Sequence, residues 1–145
     1  MPHQEDRHVV WERRQTELWD RIFQVTQDVV TLAKSLDDSL GEKIVQEQLV
    51  TSAMRVGADL VRANAADVAV EFEKYVKEAR MQAIETDYWL RLIFVLQQRD
   101  DVQRDLSSVI SQYATIITML QKFLRHAHGE ANVLAKHARR GKVSL

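Results

Sequence analysis

The chain has 145 residues, 46% hydrophobic and 28% charged, with a formal net charge of −1, values that fit one globular domain and exclude a disordered or membrane-spanning composition. Its single Pro stands at position 2 and it has only four Gly, so the many tight turns of a β-sandwich or α/β fold are not available. It has no Cys, which removes a disulfide framework and any thiolate zinc site.

The first helix is read from Leu18, Ile22, Val25, Val29, Leu32 and Leu36, spaced four and three residues apart as a core-facing stripe requires. Trp11 extends that stripe toward the N-terminus. The run from Ser35 to Gly41 supplies turn and cap residues, and a second helix is expected from about Glu42. Its stripe, Leu49, Ala53, Val56, Leu60 and Ala63, is built from smaller side chains, which let a neighbouring helix come close. Gly57 lies inside this helix, where Gly costs about 1 kcal/mol relative to Ala, and close approach of another helix is the physical reason to accept that cost.

Residues 64–67 read as a turn, with Asp67 as the cap of a third helix. That helix carries Phe72, Val76, Ala79, Ala83, Thr86, Leu90 and Ile93. A second apolar edge of Tyr75, Tyr88, Trp89, Leu92 and Leu96 makes it apolar over more than half its circumference, a wider face than one core needs. Arg99 to Asp101 punctuates the chain. The fourth helix is then expected to bury Val102, Leu106, Val109, Tyr113, Ile117, Leu120 and Leu124, with Ile110, Ile116, Met119 and Phe123 broadening the face and Gly129 ending the helix. The resulting fold class is all-α: an antiparallel up-down-up-down four-helix bundle over residues 1–128. A short basic tail follows over 129–145, either unstructured or a short helix.

The quoted residues of the middle of the chain carry a resemblance. Gln48-Leu-Val-Thr-Ser-Ala-Met-Arg-Val-Gly-Ala-Asp-Leu60, then Glu71-Phe72, then Ala83-Ile-Glu-Thr-Asp-Tyr-Trp-Leu-Arg-Leu92 resemble the bacterial four-helix-bundle family of 23S rRNA intervening-sequence proteins. The Val10-Trp11 pair is similar to that family's start. Members commonly carry Asn where Asp59 stands, followed by acidic residues; here Val61 and Arg62 take those places. The family is similar to the accessory variability protein of diversity-generating retroelements, a basic bundle that forms a ring-like pentamer and binds nucleic acid and a reverse transcriptase. The resemblance therefore implies the bundle, a homo-oligomer that is a pentamer, and RNA, DNA or a reverse transcriptase as partners.

The charge distribution points to where such a partner would bind. From Lys122 onward stand Lys122, Arg125, Lys136, Arg139, Arg140 and Lys142 against Glu130 alone, so an acidic body ends in a basic segment. Arg125, Lys136, His137, Arg139, Arg140 and Lys142 are the candidate phosphate contacts; the competing reading is a solvated terminus. Tyr88, Trp89, Leu92, Leu96 and Phe123 are the candidate oligomer interface, because aromatic residues concentrate at interfaces. Glu78 and Glu85 share a helix face, which raises a carboxylate-bridged metal site. The only Glu-x-x-His is Glu5/His8 and no His lies between residues 9 and 125, so Glu85 is read instead as an ion-pair partner of an Arg. No nucleophile stands near a His and no Gly-rich phosphate loop is present. The expectation is a non-enzymatic, cofactor-free and metal-free protein. The charged N-terminal residues and the lack of an 18-residue apolar run lead to a cytoplasmic protein with no membrane partner.

Overall fold

In the computed structural model the backbone is described for residues 4–37 and 40–143, and side-chain surroundings for residues 13–37, 41–126, 129 and 136. Four helices follow in order: α1 (Gln4–Lys34), α2 (Leu40–Asn64), α3 (Ala69–Leu96) and α4 (Asp100–Val143). Each packs against its two neighbours in a closed square, α1 on α2 and α4, α3 on α2 and α4, with no diagonal packing among the described residues. The connections at residues 35–39 and 97–99 share one end of the bundle, where the Arg99 guanidinium donates to the Ser35 carbonyl at 3.5 Å. The connection at 65–68 lies at the other end.

The expected stripe of α1 from Leu18 to Leu36 and that of α2 are buried, and that of α3 is buried apart from Phe72, which packs half-buried against the core. Burial of these apolar side chains is the main source of stability. In α4 the stripe differs after Tyr113: Ile116, Leu120 and Phe123 are buried, whereas Ile117 and Leu124 are half-buried at its edge. The helix keeps the strict four-three alternation from Val102 onward, and adjacent apolar pairs at 116/117 and 123/124 hid that register in the sequence.

The buried stripes of α2 and α3 include small residues, Ala53 and Ala63 on α2 and Ala79 and Ala83 on α3, and Ser52 meets Thr86 across the interface at 2.9 Å. Ser52 Oγ donates to the Leu49 carbonyl at 3.0 Å and so accepts from Thr86. The Thr86 hydroxyl also lies 2.8 Å from the Gln82 carbonyl. Both buried hydroxyls are thereby satisfied inside an apolar seam.

Two helix ends differ from expectation. The N-cap of α3 is Val68, in extended conformation and without a side-chain cap bond; Asp67 is exposed one residue earlier. Gly129 does not end α4, which continues to Val143. The turn into α4 is closed instead by Gln103, whose amide donates to the carbonyls of Gln97 at 2.7 Å and Phe94 at 3.3 Å. From that turn α4 runs 44 residues against the 28 of α3, so its last part passes the end of α3 by about 24 Å at 1.5 Å per residue. That overhang holds positions Lys136, Arg139, Arg140 and Lys142 of the basic segment.

Gly57 faces α1, and a Cβ placed on it meets only Ile22 Cγ2 at 3.7 Å, ordinary van der Waals contact. Gly57→Ala is therefore expected to stabilise the fold by up to about 1 kcal/mol through helix propensity, while Gly57→Leu destabilises it by forcing α1 and α2 apart; urea unfolding of both variants checks this. Tyr113 is fully buried with a hydroxyl that has no hydrogen-bond partner, and burial, with Asp28 nearby, pushes its ionisation well above the usual phenol range. An unpaired buried hydroxyl costs about 1–3 kcal/mol, so Tyr113→Phe is expected to hold or raise the unfolding midpoint, and a fall would reveal a partner.

Candidate interaction surfaces

The outer edge of α3, turned away from the core, carries Val70, Met81, Ile84, Tyr88 and Val95, all exposed. Met81, Ile84, Tyr88 and Val95 are spaced three, four and seven residues apart, a second apolar stripe on the same helix. Such a row of large hydrophobic residues on a small domain marks an interaction surface rather than scattered exposure.

The expected interface residues divide along this geometry. Tyr88 is 59% exposed and Leu96 is also exposed, whereas Leu92 and Trp89 are half-buried. Trp89 packs against the core, meets Tyr88 edge-on at 5.0 Å, and donates from Nε1 to Glu85 at 3.4 Å. Glu85 therefore holds an indole rather than the expected Arg. Phe123 is 4% exposed and belongs to the core, so it is not available to a partner. Its place in the strict α4 heptad explains this.

Phe23 was not singled out from the sequence, yet it is 61% exposed and stacks on Trp19 at 6.4 Å. Trp19 and Val61, with Gln15, Thr16 and Asn64, line a cleft of about 640 Å³ between α1 and α2. Met54 lies one heptad before Val61 and is exposed beside it. The only sequence signal was the placement of Phe23 directly after a core position, which no periodicity distinguishes from chance.

On the groove between α2 and α3, Arg55, Asp59 and Arg62 face Lys77, Glu78 and Gln82 around a cleft of about 460 Å³. Asp59 is only 5% exposed and accepts from Arg62 Nη1 at 3.0 Å. Burial raises its ionisation above the ordinary carboxylate value, the Arg62 bond lowers it, and Glu78 raises it again, with an upward net result. Glu78 thus shares this cleft with Asp59; among the described residues no group of three His, Cys, Asp or Glu side chains that could hold a metal is present. By contrast Asp101 is held below the usual carboxylate range by its hydrogen bond from Arg99. The seam between α1 and α4 is polar, lined by Asp28, Thr31, Ser35, Asp105, Ser108 and Gln112 beside Leu32 and Val109.

In the basic segment, Arg125 and Lys136 are exposed. The side chains of His137, Arg139, Arg140 and Lys142, like those of Trp11, Glu5 and His8, lie outside the described residues, although α4 itself runs through the first four positions. Among the described residues no helix is long and apolar enough to cross a membrane.

These features define an all-α four-helix bundle with exposed apolar and charged surfaces. The family model of the 23S rRNA-intervening sequence protein matches residues 14–122, and the chain belongs to that family. It is also similar in fold to a crystal structure of a protein of unknown function from the S23 ribosomal protein family of Bacteroides thetaiotaomicron VPI-5482. The two are 21% identical, with a TM-score of 0.70 over 77% of this chain and 98% of that one. No curated protein matches.

Because the ionisation of Asp59 is shifted upward, its charge opposes folding once pH rises above the ordinary carboxylate value of 3.8. Below that value both folded and unfolded chains are protonated and nothing is lost. Asp59→Asn, which still accepts from Arg62, is expected to be more stable than the natural chain at pH 7, with the difference shrinking toward pH 4; denaturation at both pH values reads it out.

Proposed function

We propose that this protein is a non-enzymatic, homo-oligomeric bundle that presents its basic C-terminal helix to nucleic acid. The observation that carries the reading is the continuation of α4 as a helix to Val143, past the end of α3, with Lys136, Arg139, Arg140 and Lys142 on the projecting part. Cations on a helix that stands clear of an acidic body meet phosphates without repulsion from that body. The apolar edge of α3 supports assembly, and a ring gathers several such helices into one positive field. Five copies is the number implied by the resemblance to the retroelement accessory protein.

The family's description makes structured RNA the first probe to use, with a nucleic-acid-handling protein such as a reverse transcriptase as a further partner. The rival reading is a protein-interaction scaffold with an inert basic helix, favoured by the apolar edge alone. RNA binding is expected to weaken steeply from 50 to 200 mM salt. Four phosphate contacts correspond to a loss of about a hundredfold over that range. The combined variant Lys136→Gln, Arg139→Gln, Arg140→Gln and Lys142→Gln should flatten that salt dependence without changing helix content. Fluorescence anisotropy with a labelled stem-loop measures both, and salt-insensitive or absent binding by the natural chain overturns the nucleic-acid reading.

A further inference from the structure

The cleft between α2 and α3 holds two buried acceptors that the fold itself leaves short of donors. We propose that this cleft is a binding site for a small zwitterion, a free α-amino acid. Its ammonium group would sit on Asp59 and Gln82 and its carboxylate between Arg55 and Lys77. The inference stands apart from the nucleic-acid reading and uses no residue of the basic helix.

The floor of the cleft lacks hydrogen-bond donors. Gln82 lines it from α3, and its Oε1 is buried with no hydrogen-bond partner. Asp59 lines it from α2, is 5% exposed, and accepts one side-chain bond, from Arg62 Nη1 to Oδ1 at 3.0 Å. Burial outweighs that bond, and the Glu78 carboxylate works in the same direction as burial. A buried acceptor without a donor and a buried carboxylate short of counter-charge each oppose folding. Both occur here in one cleft. A single ammonium group answers both, because it brings a positive charge and up to three N–H donors. Placed at the floor it also screens Asp59 from Glu78.

The rim has the opposite character. Arg55 on α2 and Lys77 on α3 border the cleft, both exposed, and neither is in an ion pair among the described residues. Arg62 is already taken by Asp59. Three cations, Arg55, Arg62 and Lys77, stand against two carboxylates, Asp59 and Glu78, so the lining carries one positive charge in excess. A simple cation is opposed by that excess at the entrance, and a simple anion meets two carboxylates inside. A molecule that carries both charges on neighbouring atoms satisfies floor and rim together through charge-assisted hydrogen bonds. Ala58 and Met81 complete the wall and offer apolar contact to its side chain. The volume of about 460 Å³ lies within the range of roughly 300–1,000 Å³ found for small-molecule sites.

The other clefts lack one half of this arrangement. The cleft beside Trp19 is lined by uncharged residues. The α1–α4 seam has Asp28 and Asp105 but no cation. The cleft beside Val30 and Val50 has Lys34, Lys43 and Glu47, but none of its residues has a buried acceptor without a partner.

Isothermal titration calorimetry on the full chain at pH 7, with each common α-amino acid as probe, tests the site. At least one is expected to bind saturably and to raise the unfolding temperature. For that amino acid, the N-acetyl derivative lacks the ammonium and the amide lacks the carboxylate, and each should bind at least about tenfold more weakly. The N,N,N-trimethyl derivative keeps its charge but has no N–H, and it should lose a similar factor. Asp59→Asn and Gln82→Met should each weaken binding about tenfold, the first while raising the unfolding midpoint of the ligand-free chain. A merely structural role for Asp59 would move stability and binding in the same direction. The double variant Arg55→Gln/Lys77→Gln should weaken binding of the amino acid and leave that of its amide unchanged.

Binding by none of the amino acids overturns the proposal. Equal binding of the N-acetyl derivative overturns it in favour of an anion held by Arg55 and Lys77. Equal binding of the amide overturns it in favour of a cation on Asp59 alone. Undiminished binding to folded Asp59→Asn and Gln82→Met overturns the assignment to this cleft.

Discussion

The close approach of α2 and α3 is the constraint on which the rest of this structure depends. Alanines at 53, 63, 79 and 83 leave little volume between the two helices, and the Ser52–Thr86 hydrogen bond joins them at the centre of that seam. From α3 the core takes Val76, Leu90 and Ile93, with Phe72, Tyr75, Trp89 and Phe94 half-buried against it. Met81, Ile84 and Tyr88 on the same helix appear on its outer edge. The tight seam and the external ridge are two results of one distribution of side-chain size, since a close-packed interior has no room for both sets. The wide apolar circumference of α3 is accounted for in the same way: one stripe serves the bundle and the other faces outward.

The helices and most of the core were legible because the four-three spacing of apolar residues directly encodes which side of a helix is buried. Legibility failed where neighbouring positions were chemically equivalent. Ile116 and Ile117 are the same residue, and only packing against α1 and α3 selects the first. Phe123 followed the same slip, which carried it from the core to an expected interface. The α3 start was misplaced for a different reason: Asp67 has the chemistry of a cap, but the backbone enters the helix one residue later, at Val68, with no side-chain bond to its amides. Exposed residues outside any stripe, Phe23 above all, leave no periodic trace. The α1–α2 groove therefore emerged only when α1 and α2 were brought side by side.

The charged groove beside the α2–α3 seam follows from similar geometry. Small residues at the seam draw the flanking long side chains inward, and Asp59 is carried below the surface with them. Its bond to Arg62 offsets only part of the cost of removing a carboxylate from water, and Glu78 across the groove adds to that cost. The position is thus one at which local electrostatics and close packing oppose each other. Sequence could place Asp59 beside Arg62 on one helix, but not Glu78, which reaches the same groove from the next helix.

Gly129 lies within the part of α4 where α3 comes to its end, and a Cβ there would meet nothing within 4 Å. Gly gives a helix less intrinsic support than any residue except Pro. The position in α4 with little intrinsic helix support thus falls where the helix leaves the level of α3, six residues beyond Phe123, its last buried core residue. A bend at Gly129 would reorient positions 136–142 while leaving the buried core residues of α4, from Val102 to Phe123, where they are.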